Sequence, residues 1–229
     1  MRQRCGCYKS LPAGIGFGGG RLAPGTYANT SHNADVLEAA LGDPAMQRMA
    51  RYVDQALLQF FPKLHMLYTR LMQKIIEEDN PGLKRLFAGC CYAACHFNLD
   101  RASTLIHADY WNVIFGMCGV YSSGPYDYKR RGHLIMWSLG IVVEFPPGCA
   151  ILLPSAPVEH SNTPLAEGER RSSIAFFVSA GLARWYHNGY MSDKEYLDRA
   201  SEQQKKAWMD YRDTLWELGM ELWKHPPKQ

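Results

Sequence analysis

"LIHADYWN", residues 105–112, sets His107 and Asp109 two positions apart after a short apolar run. On an extended segment alternate side chains share a face, so these two point the same way and Ala108 points away. Two imidazoles and one carboxylate hold a non-haem ferrous ion on one face of an octahedron and leave three positions open. A His-x-Asp pair by itself is common by chance, so a second histidine is required from elsewhere. "EFPPGCAILLPSAPVEHSN" supplies it: a Pro-Gly turn feeds the apolar run "CAILL", and the chain then delivers His160 at the start of a polar segment.

Farther on, Arg171 opens "RRSSIAFFV". Read as a strand, Ile174, Phe176 and Val178 share one face, and Arg171 and Ser173 share the other. A guanidinium fork with a hydroxyl two residues on suits a carboxylate, which it can bind bidentately. A dicarboxylate that chelates iron at one end needs such a partner at its far end, and 2-oxoglutarate has that shape.

His107, Asp109, His160 and Arg171 are far apart in sequence, so a sheet must bring them together, and a β-barrel does this readily. The chain has 229 residues, 47% hydrophobic and 21% charged, with a formal charge of +3. That composition is globular, and the mild charge permits a polyanion without arguing for one. We expect one domain over 1–229: a Gly-rich segment at 1–32, helices at 33–85, a β-core at 86–190 and a C-terminal helix at 192–225. Asp43 and Pro44 are start signals for a helix. Met49, Val53, Leu57 and Phe60 recur at helical spacing, as do Leu64, Leu67, Leu71 and Ile75. His65 lies beside the second stripe and reads as a packing or surface histidine. From 86 to 180 short apolar runs broken by Gly and Pro have the texture of tight-turned β structure. "SDKE" at Ser192 reads as a capping box, with Trp208, Tyr211, Leu215, Leu218 and Leu222 forming an apolar face behind it.

"GIGFGGGRLAPG" is neither a dinucleotide fingerprint nor a phosphate loop, and it reads as a loop that needs close backbone approach or positive φ. The seven cysteines lack paired C-x-x-C spacing. Cys5 and Cys7 are either free thiols or ligands of a metal shared with the Cys90–Cys95 cluster. No apolar leader and no run of membrane-spanning length is present, so a reduced, intracellular chain is expected.

The ordered set of His-x-Asp, Pro-Gly turn, strand, His and Arg-x-Ser resembles the Fe(II)/2-oxoglutarate-dependent dioxygenases. More narrowly, "GFGGGRLAPG", "HADYWNVIFG", "RGHLIMWSLG" and "EFPPGCAILLPSAPVEHSN" resemble the TET/JBP-like dioxygenases of basidiomycete fungi, over about residues 12–190. The resemblance implies an α+β fold, a double-stranded β-helix (jelly-roll) core flanked by N-terminal and C-terminal helices. It implies Fe(II) on His107, Asp109 and His160 as the catalytic metal site, 2-oxoglutarate on Arg171 and Ser173, and O2 as the oxidant. Asn112, five positions after the first ligand, matches a residue that touches the target base, or else only caps a turn. Arg101 assists the cosubstrate or else pairs with Asp100. "RGHL" departs from the family's usual Gly-Gly, and the Cys-rich zinc extension of animal TET enzymes is missing, so DNA engagement must be built differently.

On that resemblance the expected reaction is oxidation of a methylated DNA base in the nucleus, without an obligate protein partner or a membrane. The first choice is 5-methylcytosine, and demethylation of N6-methyladenine is the second. The same chemistry on a small molecule or protein side chain, or a silent modified-base binder, are the alternatives. A base must leave the duplex to reach a buried metal, so stacking aromatics are expected among Tyr110, Trp111, Phe115, Tyr126 and Trp137. Lys129, Arg130 and Arg131 in "YDYKRRGH" either contact phosphates or form a solvated hairpin tip.

Overall fold

The computed structural model describes residues 6 and 8–225. Cys5 and Cys7 lie outside the described residues. Strands β1 (Lys9–Gly16) and β2 (Gly25–Thr26) lead into helices α1 (Ser31–Gly42), α2 (Pro44–Phe60) and α3 (Pro62–Lys74). Asp43 caps α2 by accepting hydrogen bonds from the backbone N–H groups of Ala45 and Met46 at 2.7 and 3.2 Å. Then come β3 (Ala94–Leu99), β4 (Cys118–Ser123), β5 (Leu134–Met136), β6 (Ile141–Val143), β7 (Ala150–Leu153), β8 (His160–Asn162) and β9 (Ser172–Phe177). Helices α4 (Ala180–His187), α5 (Asp193–Arg199), α6 (Glu202–Asp213) and α7 (Leu215–Trp223) complete the order.

The strands form two antiparallel sheets, a six-stranded one ordered β2-β1-β3-β9-β4-β7 and a three-stranded one ordered β6-β5-β8. One face of the large sheet carries Ile15, Cys95, Phe97, Ile174 and Phe176 into a core shared with Val53, Leu57, Leu64, Leu71 and Ile75 of the helices. Gly119 of β4 makes this approach possible, because a Cβ there would strike Val53 Cγ1 of α2. The opposite face holds polar side chains, with Asn98 and Ser173 paired across β3 and β9. The turn before β7 is set by Pro147 and Gly148. Gly148 has φ +83°, and Cys149 N–H donates to Pro146 O at 3.3 Å.

Several sequence expectations need correction. The Gly-rich segment is not all loop: Lys9–Gly16 is a full strand of the large sheet, paired with β3, so the β-core reaches well before residue 86. The glycines at 18–20, all at positive φ, turn the chain after it. The C-terminal stretch is three helices, interrupted at Ala200 and Thr214. Ser192 does cap α5 through Glu195 N–H, but the reciprocal capping box forms at Ser201 and Gln204. Phe60 and Leu218, placed on apolar stripes by their spacing, are exposed.

His65 is a packing histidine of a specific kind. Its Nε2 lies 3.0 Å from Oδ1 of the buried Asp54. Cys91 N–H donates to the same oxygen at 2.8 Å, and Gln55 Nε2 donates to Oδ2 at 3.1 Å. Asp54, His65 and Cys91 are close enough to share a cation. Asp54 already accepts from the Cys91 and Gln55 N–H groups beside His65, and these contacts tie α2, α3 and the entry to β3 together.

Candidate metal and dicarboxylate site

The residues 100–112 run as one path between the two sheets. Asp100 turns the chain at φ +73°, and Arg101 and Arg171 then pair in parallel. Farther along, Asn162 N–H donates to Thr104 O at 3.1 Å, which adds the path to the edge of the small sheet beyond β8. His107 and His160 next form a two-bond bridge, Asp109 N–H donates to Ser155 O at 2.8 Å, and Asn112 bridges Ser179. The extended reading of His107 and Asp109 therefore holds locally, through backbone bonds to neighbours rather than within a regular strand.

The path brings His107, Asp109 and His160 together, with one donor atom of each lying within 4.8 Å of the others. His107 Nε2 is 3.7 Å from Asp109 Oδ1, and the two imidazole centroids are 4.4 Å apart. Each ring has its Nδ1 on a backbone carbonyl two residues earlier, Leu105 O for His107 and Val158 O for His160, both at 2.8 Å. A carbonyl can only accept, so Nδ1 carries the proton and Nε2 keeps its lone pair for a cation. Burial lowers the His160 pKa, an effect that outweighs the raising bond to Val158 O, and the neighbouring His107 lowers it further. Both effects favour the neutral, ligating form.

Arg171 is buried at 2% exposure and makes no ion pair among the described residues. Its Nη1 donates to Ala102 O at 2.8 Å, its Nε has no hydrogen-bond partner, and the rings of Phe145 and Tyr126 lie 5.5 and 5.9 Å away. Burial pulls its pKa below the ordinary arginine value. A buried cation without a carboxylate is costly, and an incoming dicarboxylate relieves that cost. Ser173, also buried, accepts from Asn98 Nδ2 at 3.4 Å.

Other expected site residues are placed differently. Arg101 is exposed and donates to the carbonyls of Ala166 and Glu169 at 3.3 and 3.4 Å; Asp100 pairs instead with Arg170. Lys129 and Arg130 pair with Glu144 at 2.8 Å and Asp127 at 3.6 Å, while Arg131 is exposed on the same tip. Phe115 is core, packed against Gly219 of α7, and Tyr126 is buried with its hydroxyl on Ser122 and Phe145 O. Tyr110 and Trp111 are exposed beside Asp109, at 76% and 69%, and Trp137 is half exposed. Asn112 points its amide at Asp109 and Ser155. Asn98 escaped the sequence reading, although the alternation in "ACHFNL" puts His96 and Asn98 opposite Cys95 and Phe97. A surface depression of about 490 Å3 is lined by Tyr52, Phe60, Leu152 and Trp223 among others and includes none of these site residues.

A six-stranded and a three-stranded antiparallel sheet, with helices packed on one face of the larger, are the frame of a jelly roll. A structure of NgTET1 in complex with 5mC DNA superposes with a TM-score of 0.57 at 13% identity, covering 75% of this chain and 61% of that one. The chain shares the fold of that NgTET1 structure. It spans 61% of the length of that NgTET1 chain. A 2OG-Fe(II) oxygenase family oxidoreductase from Burkholderia pseudomallei gives a TM-score of 0.38 at 17% identity, over 73% of this chain and 66% of that one, too low to argue from. No protein-family model and no curated protein matches the sequence. No helix among the described residues is long and apolar enough to cross a membrane.

Proposed function

We propose that this protein is an Fe(II)/2-oxoglutarate-dependent dioxygenase that oxidises a methylated DNA base, 5-methylcytosine first and N6-methyladenine second. The observation that carries the chemistry is the pairing of a His-Asp-His donor set with a buried guanidinium that has no carboxylate. The donor set fits a ferrous ion: two imidazoles with Nε2 lone pairs and one carboxylate, from one side. Arg171 fits the far carboxylate of 2-oxoglutarate, with Ser173 beside it. When bound, the metal and cosubstrate supply the O2-dependent oxidation of a C–H bond, with 2-oxoglutarate converted to succinate and carbon dioxide.

The chain's own part is positional. His107 and His160 are held by their backbone bridge and by their Nδ1–H bonds, so neither imidazole needs to reorganise to ligate. Arg171 orients the cosubstrate from a dry, aromatic-lined end of the barrel. Tyr110 and Trp111 follow Asp109 and are exposed to solvent, where a flipped base can stack before it enters. A DNA substrate is also in keeping with the NgTET1 neighbour, whose structure holds 5mC DNA.

The same oxidation of a substrate other than DNA is the second reading. One observation favours it: Lys129 and Arg130 are already neutralised by Glu144 and Asp127, which weakens the expected phosphate surface. The test is mass spectrometry of nucleosides from DNA carrying both 5-methylcytosine and N6-methyladenine, incubated with protein, Fe(II), ascorbate and 2-oxoglutarate. Oxidised cytosines, or loss of methyladenine with formaldehyde release, support the first reading. Succinate accumulating over unchanged bases overturns it in favour of the second.

A further inference from the structure

The carboxylate at the site has two oxygens in different surroundings. Asp109 Oδ1 faces His107 Nε2 at 3.7 Å. Asp109 Oδ2 instead accepts from Asn112 Nδ2 at 3.4 Å, and the same amide donates to Ser155 Oγ at 3.2 Å. A carboxamide NH2 has two hydrogens, and these two acceptors use both. Turning the amide over would set its oxygen against the Asp109 carboxylate, so charge alone fixes its orientation.

Ser155 is itself held in place. It is buried at 2% exposure, and its backbone carbonyl accepts from Asp109 N–H at 2.8 Å. Asn112 N–H donates to Asp109 O at 2.9 Å, closing a turn, and Asn112 also bridges Ser179 at the foot of α4. The carboxylate, the amide and the hydroxyl are therefore all anchored through backbone bonds as well as side chains.

We infer that Asn112 and Ser155 position the Asp109 carboxylate, with Asn112 occupying Oδ2 so that Oδ1 alone is presented to the metal. This rests on the reading of His107, Asp109 and His160 as metal ligands. A carboxylate that donates one oxygen leaves three coordination positions open, whereas one that swings to chelate through both would close one of them. Asn112 thereby acquires a role in the site that precedes any substrate. Partners of this kind, which act through a ligand, typically change metal affinity by about 10–100-fold when removed.

The experiment is Co(II) titration of the purified full chain without any substrate, read by visible absorption and calorimetry. Wild type, Asn112→Ala, Ser155→Ala and Ser155→Thr are compared, with thermal melts of each apoprotein to establish folding. Asn112→Ala is expected to weaken Co(II) binding about 10–100-fold and to shift the cobalt absorption bands. Ser155→Ala should weaken it less, and Ser155→Thr, which keeps the hydroxyl, should restore wild-type behaviour. A folded Asn112→Ala with unchanged affinity and spectrum overturns the inference and leaves Asn112 as a substrate contact. If Asn112→Ala does not fold, unchanged affinity in a folded Ser155→Ala overturns it equally. Wild-type protein that takes up no Co(II) overturns both this inference and the proposed metal site.

Discussion

His107 N–H donates to His160 O at 3.1 Å, and His160 N–H donates back to His107 O at 2.8 Å. This bridge makes the spacing of the two imidazoles a property of the backbone rather than of the metal. Asp109→Ala should therefore leave the fold in place while removing metal-dependent turnover. Its circular dichroism and apo melting temperature should match wild type, and succinate production should fall to background. Normal succinate release by Asp109→Ala would remove the site assignment.

The same preformed geometry predicts how metal changes stability. A ligand that binds only the folded state stabilises it by about 2.7 kcal/mol at a hundredfold excess over its Kd. Mn(II) should raise the melting temperature of wild type, EDTA should reverse the rise, and His160→Ala should show neither. A His160→Ala protein with a full Mn(II) shift would place the metal elsewhere.

Arg171 is buried without a carboxylate, so apolar replacement at similar length removes a desolvated charge at the cost of its bond to Ala102 O. Losing such a charge offsets losing such a bond, which is worth about 1 kcal/mol. The apo form of Arg171→Met should therefore melt within about 1 kcal/mol of wild type. Addition of 2-oxoglutarate with Mn(II) should stabilise wild type and not the variant. An equal 2-oxoglutarate shift in both proteins would show that Arg171 is not the clamp.

Asp54 supplies the pH dependence. Burial raises its pKa, but the bonds from His65 and from Cys91 N–H outweigh burial and hold it below the ordinary carboxylate value. A carboxylate whose folded pKa is depressed contributes stability above its unfolded pKa of about 4, and loses it as pH falls through the folded pKa. Asp54→Asn should be less stable than wild type at pH 7, by about 1–3 kcal/mol for broken buried hydrogen bonds. The gap should close as urea melts are taken below about pH 4. A gap independent of pH would assign the effect to packing.

Gly119→Ala tests the seam between sheet and helices. The added methyl meets Val53 Cγ1, and overpacking of this kind costs about 1–3 kcal/mol. Val53→Ala should recover part of that loss in the double variant, as read by chemical denaturation. Additive losses would mean the two residues do not compete for space.

Much of the placement of the candidate site residues was legible in the sequence because its rules are local. The period-2 pattern of "RRSSIAFFV" separates Ile174, Phe176 and Val178, all buried in the core, from Arg171 and Ser173 on the opposite face. Asp43 and Pro44 announce α2, and Pro147-Gly148 announces the turn into β7, because capping and positive φ depend on few neighbours. Asn98 is equally placed by alternation, but asparagine carries no motif that marks it as functional.

The rest depended on which surfaces meet. Phe60 and Leu218 have helical spacing yet face solvent, since periodicity names a stripe and not what covers it. Gly14–Gly16 reads as the start of a Gly-rich loop and instead ends a strand, because β3 offers the preceding residues an edge to pair with. Asn112 shows the division most clearly. Its type and its distance from His107 are matters of sequence. That its amide holds Asp109 and Ser155 was decided by the tertiary structure, because a side-chain hydrogen bond spanning 43 residues exists only after Asp109 N–H has met Ser155 O.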